Sequence, residues 1–507
     1  MELYSIAFIG FVLISVLVHE IAGKKSANRQ WVIRLIASAA FYIAIAKWRA
    51  VFLAISALTV WFGAIKLDEV AQRAADKSIS RDAATRQKRG IAAILIIANL
   101  GILIVTKYIL PIAGHTIILP LGISYYTLMA VSYVIDVYGE KYKSERSLAK
   151  LALYMTWFPQ MLQGPINRYD TVSTTLFKTY RVSTDSIRRN ALLFLFGAIK
   201  KYAIANVMIN TVGEIFGGDL SQKPGGFLFA GAVLYAICQY ADFSGGIDMM
   251  FAVSRLFGVE MDINFRQPYF AKSLSEFWRR WHITLGTFMK NYVFFPFAVS
   301  KKVLAANKKI GNKLGKHMAR SIVGGIGNIL VFFLVGLWHG PKLHFVLWGL
   351  YNGIIIAISD MCAPAFSRMT TLMHIKDKSR AWNLFRIIRT FVIVCFAGYF
   401  DYIEELSDSI TAFKNTILHF GPNLSRLWML DLFNSKVLSV QKVTVFAIAV
   451  VLLFIVDVIK ENKGDPAKII CDRPAILRWP VLYIMLILLL MSFTLVGTDA
   501  GFMYAAF

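Results

Sequence analysis

Cysteine is scarce in this 507-residue sequence. Cys238, Cys362, Cys395 and Cys471 stand far apart, in no CxxC or Cys/His ligand spacing. Neither a disulfide framework nor a zinc site is supported, and no resident metal is expected. Three of the four fall in or beside apolar runs, where Cys serves as a small core residue. Acid is scarce too, with 30 Asp and Glu against 55 Lys and Arg, a net charge of +25. There is no GxGxxG, GxSxG, P-loop or HExxH, so phosphate handling by those modules, serine hydrolysis and zinc hydrolysis lose support. Without an internal repeat, a low-complexity tract or a long linker, residues 1–507 read as a single membrane-embedded domain.

What is abundant is apolar side chain. Hydrophobic residues make up 57% of the chain and the mean hydropathy is +0.58, outside the range of soluble domains. The cations fall in short stretches between apolar runs, where they meet anionic headgroups and set orientation. The lipid bilayer, not nucleic acid, is the partner this charge implies.

A helix needs about 17 to 25 apolar residues to cross the hydrocarbon. Twelve runs qualify: Leu3 to His19, Trp31 to Lys47, Ala50 to Ile65, Ile91 to Tyr108, Ile117 to Val137, Tyr202 to Phe216, Phe227 to Asp242, Ile322 to Trp338, Leu343 to Asp360, Ile387 to Tyr399, Val443 to Val458 and Pro480 to Val496. The fold class is therefore all-α, a multi-pass protein of the cell membrane with about twelve transmembrane helices. Basic connections alternate with weakly charged or acid-bearing ones. Under the positive-inside rule the basic set is cytoplasmic and both termini face outward. The first run lacks a basic n-region and a small-residue cleavage site, so it reads as a retained span. The tail from Gly497 to Phe507 carries no Lys or Arg, as an outward placement requires. The acid-bearing stretch Asp401 to Lys442 reads as lying flat on the outer surface.

Two apolar segments do not fit a plain span. Leu151 to Ile166 is interrupted by Pro159, Gly164 and Pro165, and Phe251 to Phe297 alternates apolar residues with Arg255, Asn264, Arg266, Pro268 and Lys272. Broken backbone at membrane depth persists only when buried in protein or lining a wet cavity. The expectation is re-entrant or interfacial helices, and snorkelling surface helices are the alternative.

Two histidines stand in unusual settings on either side of Lys301 to Arg320, a lysine-rich loop with seven Lys or Arg and no acid. His339 ends an apolar run between Trp338 and Pro341, and Gly336 and Gly340 leave room for a ligand or another helix. Apolar surroundings disfavour the imidazolium, and a neutral imidazole accepts a proton from an attacking hydroxyl. Packing as a buried histidine hydrogen-bonded across helices is the other reading. His344 reads as interfacial. His282 follows Trp278, Arg279, Arg280 and Trp281, with Phe288, Tyr292 and Phe295 recurring as on one helix face. Arginine forks suit phosphate oxygens, so this group suits the phosphates of coenzyme A, or else forms an aromatic and basic belt without a ligand.

These stretches carry a resemblance. PLGISYYTLMAVSYVIDVY (120–138), FPQMLQGPINRY (158–169), ADFSGGIDMMFAVSRLFGVEMDINFRQPY (241–269), SEFWRRWHITL (275–285) and GLWHG (336–340) run in the order seen in the membrane-bound O-acyltransferase family. The chain is most similar to the alginate O-acetyltransferase and teichoic-acid D-alanyl-transfer branch, over a core of about residues 120–353. The resemblance implies acyl transfer at a central tunnel, with His339 at the catalytic histidine position and His282 at the second polar position. It implies a cytoplasmic thioester donor, acetyl-CoA or an acylated carrier, no permanently bound cofactor, and an extracytoplasmic partner acting on a polysaccharide. O-acetylation of an envelope polysaccharide is the expected function. D-alanyl transfer to teichoic acid and a transporter or flippase are the alternatives. Phe295 to Ala298, and the tail GFMYAAF, depart from the branch's usual pattern where acceptor contacts would differ.

Overall fold

The computed structural model describes residues 6–25, 29–114 and 119–496. Helices dominate, and there is no β-strand among the described residues. Among the described residues ten helical stretches are long and apolar enough to cross a membrane, making this a multi-pass membrane protein. The difference from twelve has two sources. The second and third runs form one near-continuous stretch, Gln30–Ala75, bent at a single 3-10 turn at Lys47–Arg49. The fifth run forms the helix Ile123–Tyr138, whose 16 residues are too few to span. The calls on the first five residues and on the tail from Gly497 lie outside the described residues.

The chain divides into two compact units. The first comprises Met1–Phe194 with Ile247–Ile263. Its Leu151 to Ile166 stretch is buried in protein rather than laid out as an exposed surface helix. A helix ends at Thr156, a 3-10 turn covers Phe158–Met161, and Trp157, Phe158 and Gln163 are buried. Side chains supply the hydrogen bonds that the broken backbone lacks: Tyr154 Oη donates to Asn167 O (2.9 Å), and Asn167 Nδ2 donates to Gln160 Oε1 (2.7 Å). Buried Arg34 does the same, donating to the carbonyls of Leu176, Lys178 and Phe257 at 2.6 to 2.8 Å. Irregular backbone thus survives here because protein, not lipid, surrounds it.

The second unit comprises Leu195–Gly246 with Asn264–Phe507 and holds both histidines. Its centre is the pair of helices Lys316–His339 and Leu343–Met361. Glycine sets their closeness: a Cβ on Gly349 would stand 2.2 Å from Phe332 O, and one on Gly336 would stand 2.4 Å from Phe345 O. Small residues permit such approach in lipid, where dispersion and hydrogen bonding replace the hydrophobic drive. The lysine-rich run is not a loop. Lys301–Leu314 is a helix, ended at Gly315 with φ 88°, and Lys316 opens the next. Its lysines and apolar residues recur at helical spacing, which the charge run conceals from a reading by composition. The acid-bearing stretch likewise folds as two helices, Leu406–Leu418 and Pro422–Asn434.

Candidate active site

The segment carrying His282 is two short helices, Leu274–Arg280 and Ile283–Met289, rather than one. Ser273 caps the first by accepting from Glu276 N, and Glu276 Oε2 reaches back to accept from Lys272 N (2.9 Å). The break falls at His282, whose φ of 45° is left-handed. Its cause lies 18 residues upstream. Asn264 O accepts from Ile283 N (3.0 Å), and Asn264 Oδ1 accepts from Thr284 N (3.2 Å) and Thr284 Oγ1 (2.8 Å), taking donors a continuous helix would have used. The aromatic residues from Trp278 to Phe295 therefore do not share one helix face.

Asn264 also settles the chemistry of His282. The same Oδ1 lies 3.1 Å from His282 Nδ1. A backbone N–H only donates, so the atom meeting Thr284 N is the amide oxygen, and Nδ1 must carry the proton it shares with that oxygen. Nε2 then holds the lone pair. It is buried, with no hydrogen-bond partner among the described residues, and so is Asn264 Nδ2. Burial pushes the His282 imidazole down to about 3, so the neutral form prevails at physiological pH. An orphan acceptor and an orphan donor thus belong to one rigid group, and such atoms are the ones a ligand satisfies.

His339 is the last residue of its helix and, like His282, is 3% exposed. The space beside its flanking glycines is filled by the next helix, since a Cβ on Gly340 would stand 2.7 Å from the Phe345 ring. Trp348 lies 5.0 Å from the His339 ring, centroid to centroid. Trp338 lies 5.2 Å from His339 and 6.0 Å from His282, so one indole touches both imidazoles. Neither imidazole lines the small pocket beside them, whose wall includes Trp348, Trp278 and Trp281. His344 is buried in protein rather than interfacial, with Nδ1 2.8 Å from Phe400 O.

The four residues assigned to the donor side separate into different tasks. Arg280 is held in ion pairs, 2.7 Å from Glu276 and 2.7 Å from Glu461. Its charge is spent within the protein. Trp278 is pinned by Nε1 donating to Asn352 Oδ1 at 3.0 Å, and Trp281 is buried. Arg279 is exposed and pairs with no carboxylate among the described residues. It alone of the two arginines offers an open guanidinium fork. Sequence reasoning named Asn264 only as a polar interruption and missed its part in the site, because only the folded chain brings it to Thr284 and His282, and it missed the buried pair Lys201–Asp242 at 2.7 Å.

Because Asn264 positions His282, Asn264→Ala is expected to lower turnover about 10- to 100-fold, the scale of misplacing a reacting group. Asn264→Asp keeps the acceptor and should recover part of that loss. Its carboxylate favours the imidazolium, so activity of the Asp variant should fall on the acid side where the natural sequence does not. A pH–rate profile of both variants checks this, and equal profiles would show that Asn264 only holds the fold.

Comparison with known proteins extends these observations. The family model described as MBOAT, membrane-bound O-acyltransferase family, matches residues 140–315. A probable alginate O-acetylase AlgI of Pseudomonas syringae is 29% identical over 66% of this chain and 57% of its own length. A peptidoglycan O-acetyltransferase of Helicobacter pylori is 28% identical over 61% of this chain and 59% of its own. A teichoic acid D-alanyltransferase of Bacillus subtilis is 28% identical over 56% and 69% respectively. The chain thus spans little more than half the length of the first of these relatives. The family match falls on the stretch where Asn264 and His282 are locked together, and alignments to relatives run well beyond it. The chain belongs to the membrane-bound O-acyltransferase family.

Proposed function

We propose that this protein is an O-acyltransferase that moves an acetyl group from cytoplasmic acetyl-CoA to a hydroxyl of a cell-envelope polysaccharide, directly or through an outward-facing partner. The observation that carries this reading is the pair of buried imidazoles in contact with one indole, one of them with its accepting nitrogen unpaired. In this scheme His339 takes the proton of the acceptor hydroxyl. The alkoxide oxygen attacks the thioester carbonyl, the C–S bond breaks, and the departing thiolate takes up a proton. His282 Nε2 and Asn264 Nδ2 hold the donor side in register, and Arg279, with Trp278 and Trp281 beside it, meets the phosphates of the coenzyme. The positive-inside rule supports a cytoplasmic donor and an acceptor at the other face.

Mass spectrometry of envelope polymers from cells with the natural sequence or His339→Ala tests the reading. The acetyl mark should vanish in the variant, and its persistence at full level would remove His339 from the reaction. The name of the Bacillus relative keeps a second donor open, a D-alanyl thioester on a carrier protein. Radiolabelled acetyl-CoA offered against the charged carrier separates the two, and transport surviving in His339→Ala without any acyl product would favour a flippase.

A further inference from the structure

Two lysines stand side by side in the second unit, both buried, at the start of the π-helical stretch Lys200–Asn206. Both reach the same turn of helix Gly225–Leu256. Lys201 Nζ lies 2.7 Å from Asp242 Oδ1, and Lys200 Nζ donates to Ser244 Oγ at 3.0 Å. The backbones touch there as well, since a Cβ on Gly245 would stand 2.7 Å from Gly197 O and 3.1 Å from Lys201 N. A π turn is uncommon and recurs at functional sites. Charges at membrane depth are costly, and apolar side chains of similar volume often pack as well or better, so stability alone does not account for the pair.

What the pair specifies follows from the helix it grips. Helix Gly225–Leu256 has no single apolar stripe, so the hydrophobic effect does not choose how it is turned about its own axis. A buried polar contact does choose, as a single polar side chain sets register in a coiled coil. Phe243 follows Asp242, and neighbouring side chains on a helix point about 100° apart. With Asp242 held to Lys201, the Phe243 ring is aimed elsewhere and meets the His282 ring at 5.0 Å, centroid to centroid, with the planes at 88°. Phe265 packs against Phe243 at 4.9 Å. Asn264 Oδ1 grips His282 at one atom, Nδ1. A ring held by one hydrogen bond still swings about it, and Phe243 closes that swing.

We infer that Lys201 and Asp242 are positioning residues for the reaction: by fixing the rotation of the turn Tyr240 to Gly245 they set Phe243 against His282 and keep the imidazole on Asn264, with its accepting nitrogen fixed in direction. Their catalytic meaning rests on the acyl-transfer reading. Their hold on the imidazole does not.

The test uses the full-length protein in nanodiscs. Lys201→Met combined with Asp242→Leu removes both charges at similar volume and should fold, judged by melting and a single eluting species. Asp242→Glu keeps the pair and displaces the turn by one methylene. Nitrogen-15 spectra of labelled histidine, with the His282 signal assigned by its loss in His282→Gln, read the tautomer without reference to turnover. The natural protein should show one His282 tautomer, protonated at Nδ1, and the double replacement a mixture with the Nε2–H form. With acetyl-CoA as donor and isolated cell envelope as acceptor, thiol release by the double replacement should show kcat about tenfold lower and the KM for acetyl-CoA nearly unchanged, the signature of a displaced reacting group. Asp242→Glu should fall between. Adding Asn264→Ala should cost little beyond Asn264→Ala alone, because an imidazole already released has no more register to lose. A single unaltered His282 tautomer in every variant that folds overturns the inference, as do losses that multiply with that of Asn264→Ala. A shifted tautomer at natural kcat overturns it too, since the ring then moves without consequence. No thiol release by the natural protein removes the acyl-transfer reading and with it the catalytic role, while the spectra still decide whether the pair holds the ring.

Discussion

Initial rates of acyl transfer by His339→Ala are expected to fall about 10²- to 10⁴-fold, the share a positioned general base contributes. The loss should appear in kcat more than in KM, because an interaction that strengthens only as the hydroxyl loses its proton leaves ground-state binding alone. Folding should survive. The His339 ring is packed against Trp338, Phe345 and Trp348, and truncating it leaves a cavity lined by aromatic faces rather than a buried charge. Such a cavity costs a few kcal/mol at most by analogy with other large-to-small substitutions. Melting in detergent and elution as a single species therefore accompany the rate measurement. His339→Gln is the sharper variant, since an amide keeps volume and hydrogen bonding but does not accept a proton at neutral pH. A Gln variant with nearly full rate would reduce His339 to packing, and the second imidazole would become the leading base.

His282 makes that alternative concrete, and it shows where reading the chain stopped short. Its neighbours Trp278, Arg279, Arg280 and Trp281 are contiguous and distinctive, so the sequence singles them out as a group. What each does depends on residues far along the chain. Glu461 claims Arg280 from 181 positions away. Asn264 breaks the helix from 18 positions upstream and turns what resembles one aromatic face into two short helices. Spacing rules carry no information about such partners. The long spans were legible because a run of apolar residues fixes both helix and length without any partner. The span count differed only where two helices join with almost no loop and where Ile123–Tyr138 is short. Asp401 escaped notice for a related reason: it reads as the first residue of an outer connection, and only the fold places its carboxyl group beside Gln239 and Tyr235.

The close crossing of helices Lys316–His339 and Leu343–Met361 supports the second large prediction, that Gly349→Val abolishes folded protein while Gly324→Ala on the same helix pair does not. A Cβ at position 349 would lie 2.2 Å from Phe332 O, 3.0 Å from Phe332 C and 3.4 Å from Gly336 N. Those are backbone atoms of the facing helix, and no rotamer change relieves them. The helices must part, which strips contact from Trp348 and from the His339 end together. Overpacking of side chains costs about 1 to 3 kcal/mol, and a clash with backbone exceeds that range in a protein whose whole stability is on the order of 5 to 15 kcal/mol. Position 324 is the control, because a Cβ there meets nothing within 4 Å. Alanine at that point gains helix propensity of about 1 kcal/mol, so the variant should melt at or above the natural temperature. Fluorescence-detected size exclusion and thermal melts of the two variants, expressed side by side, check the pair. A monodisperse Gly349→Val protein with normal melting would mean that the two helices do not cross as closely as described, and the contact of Trp348 with His339 would have to be drawn anew.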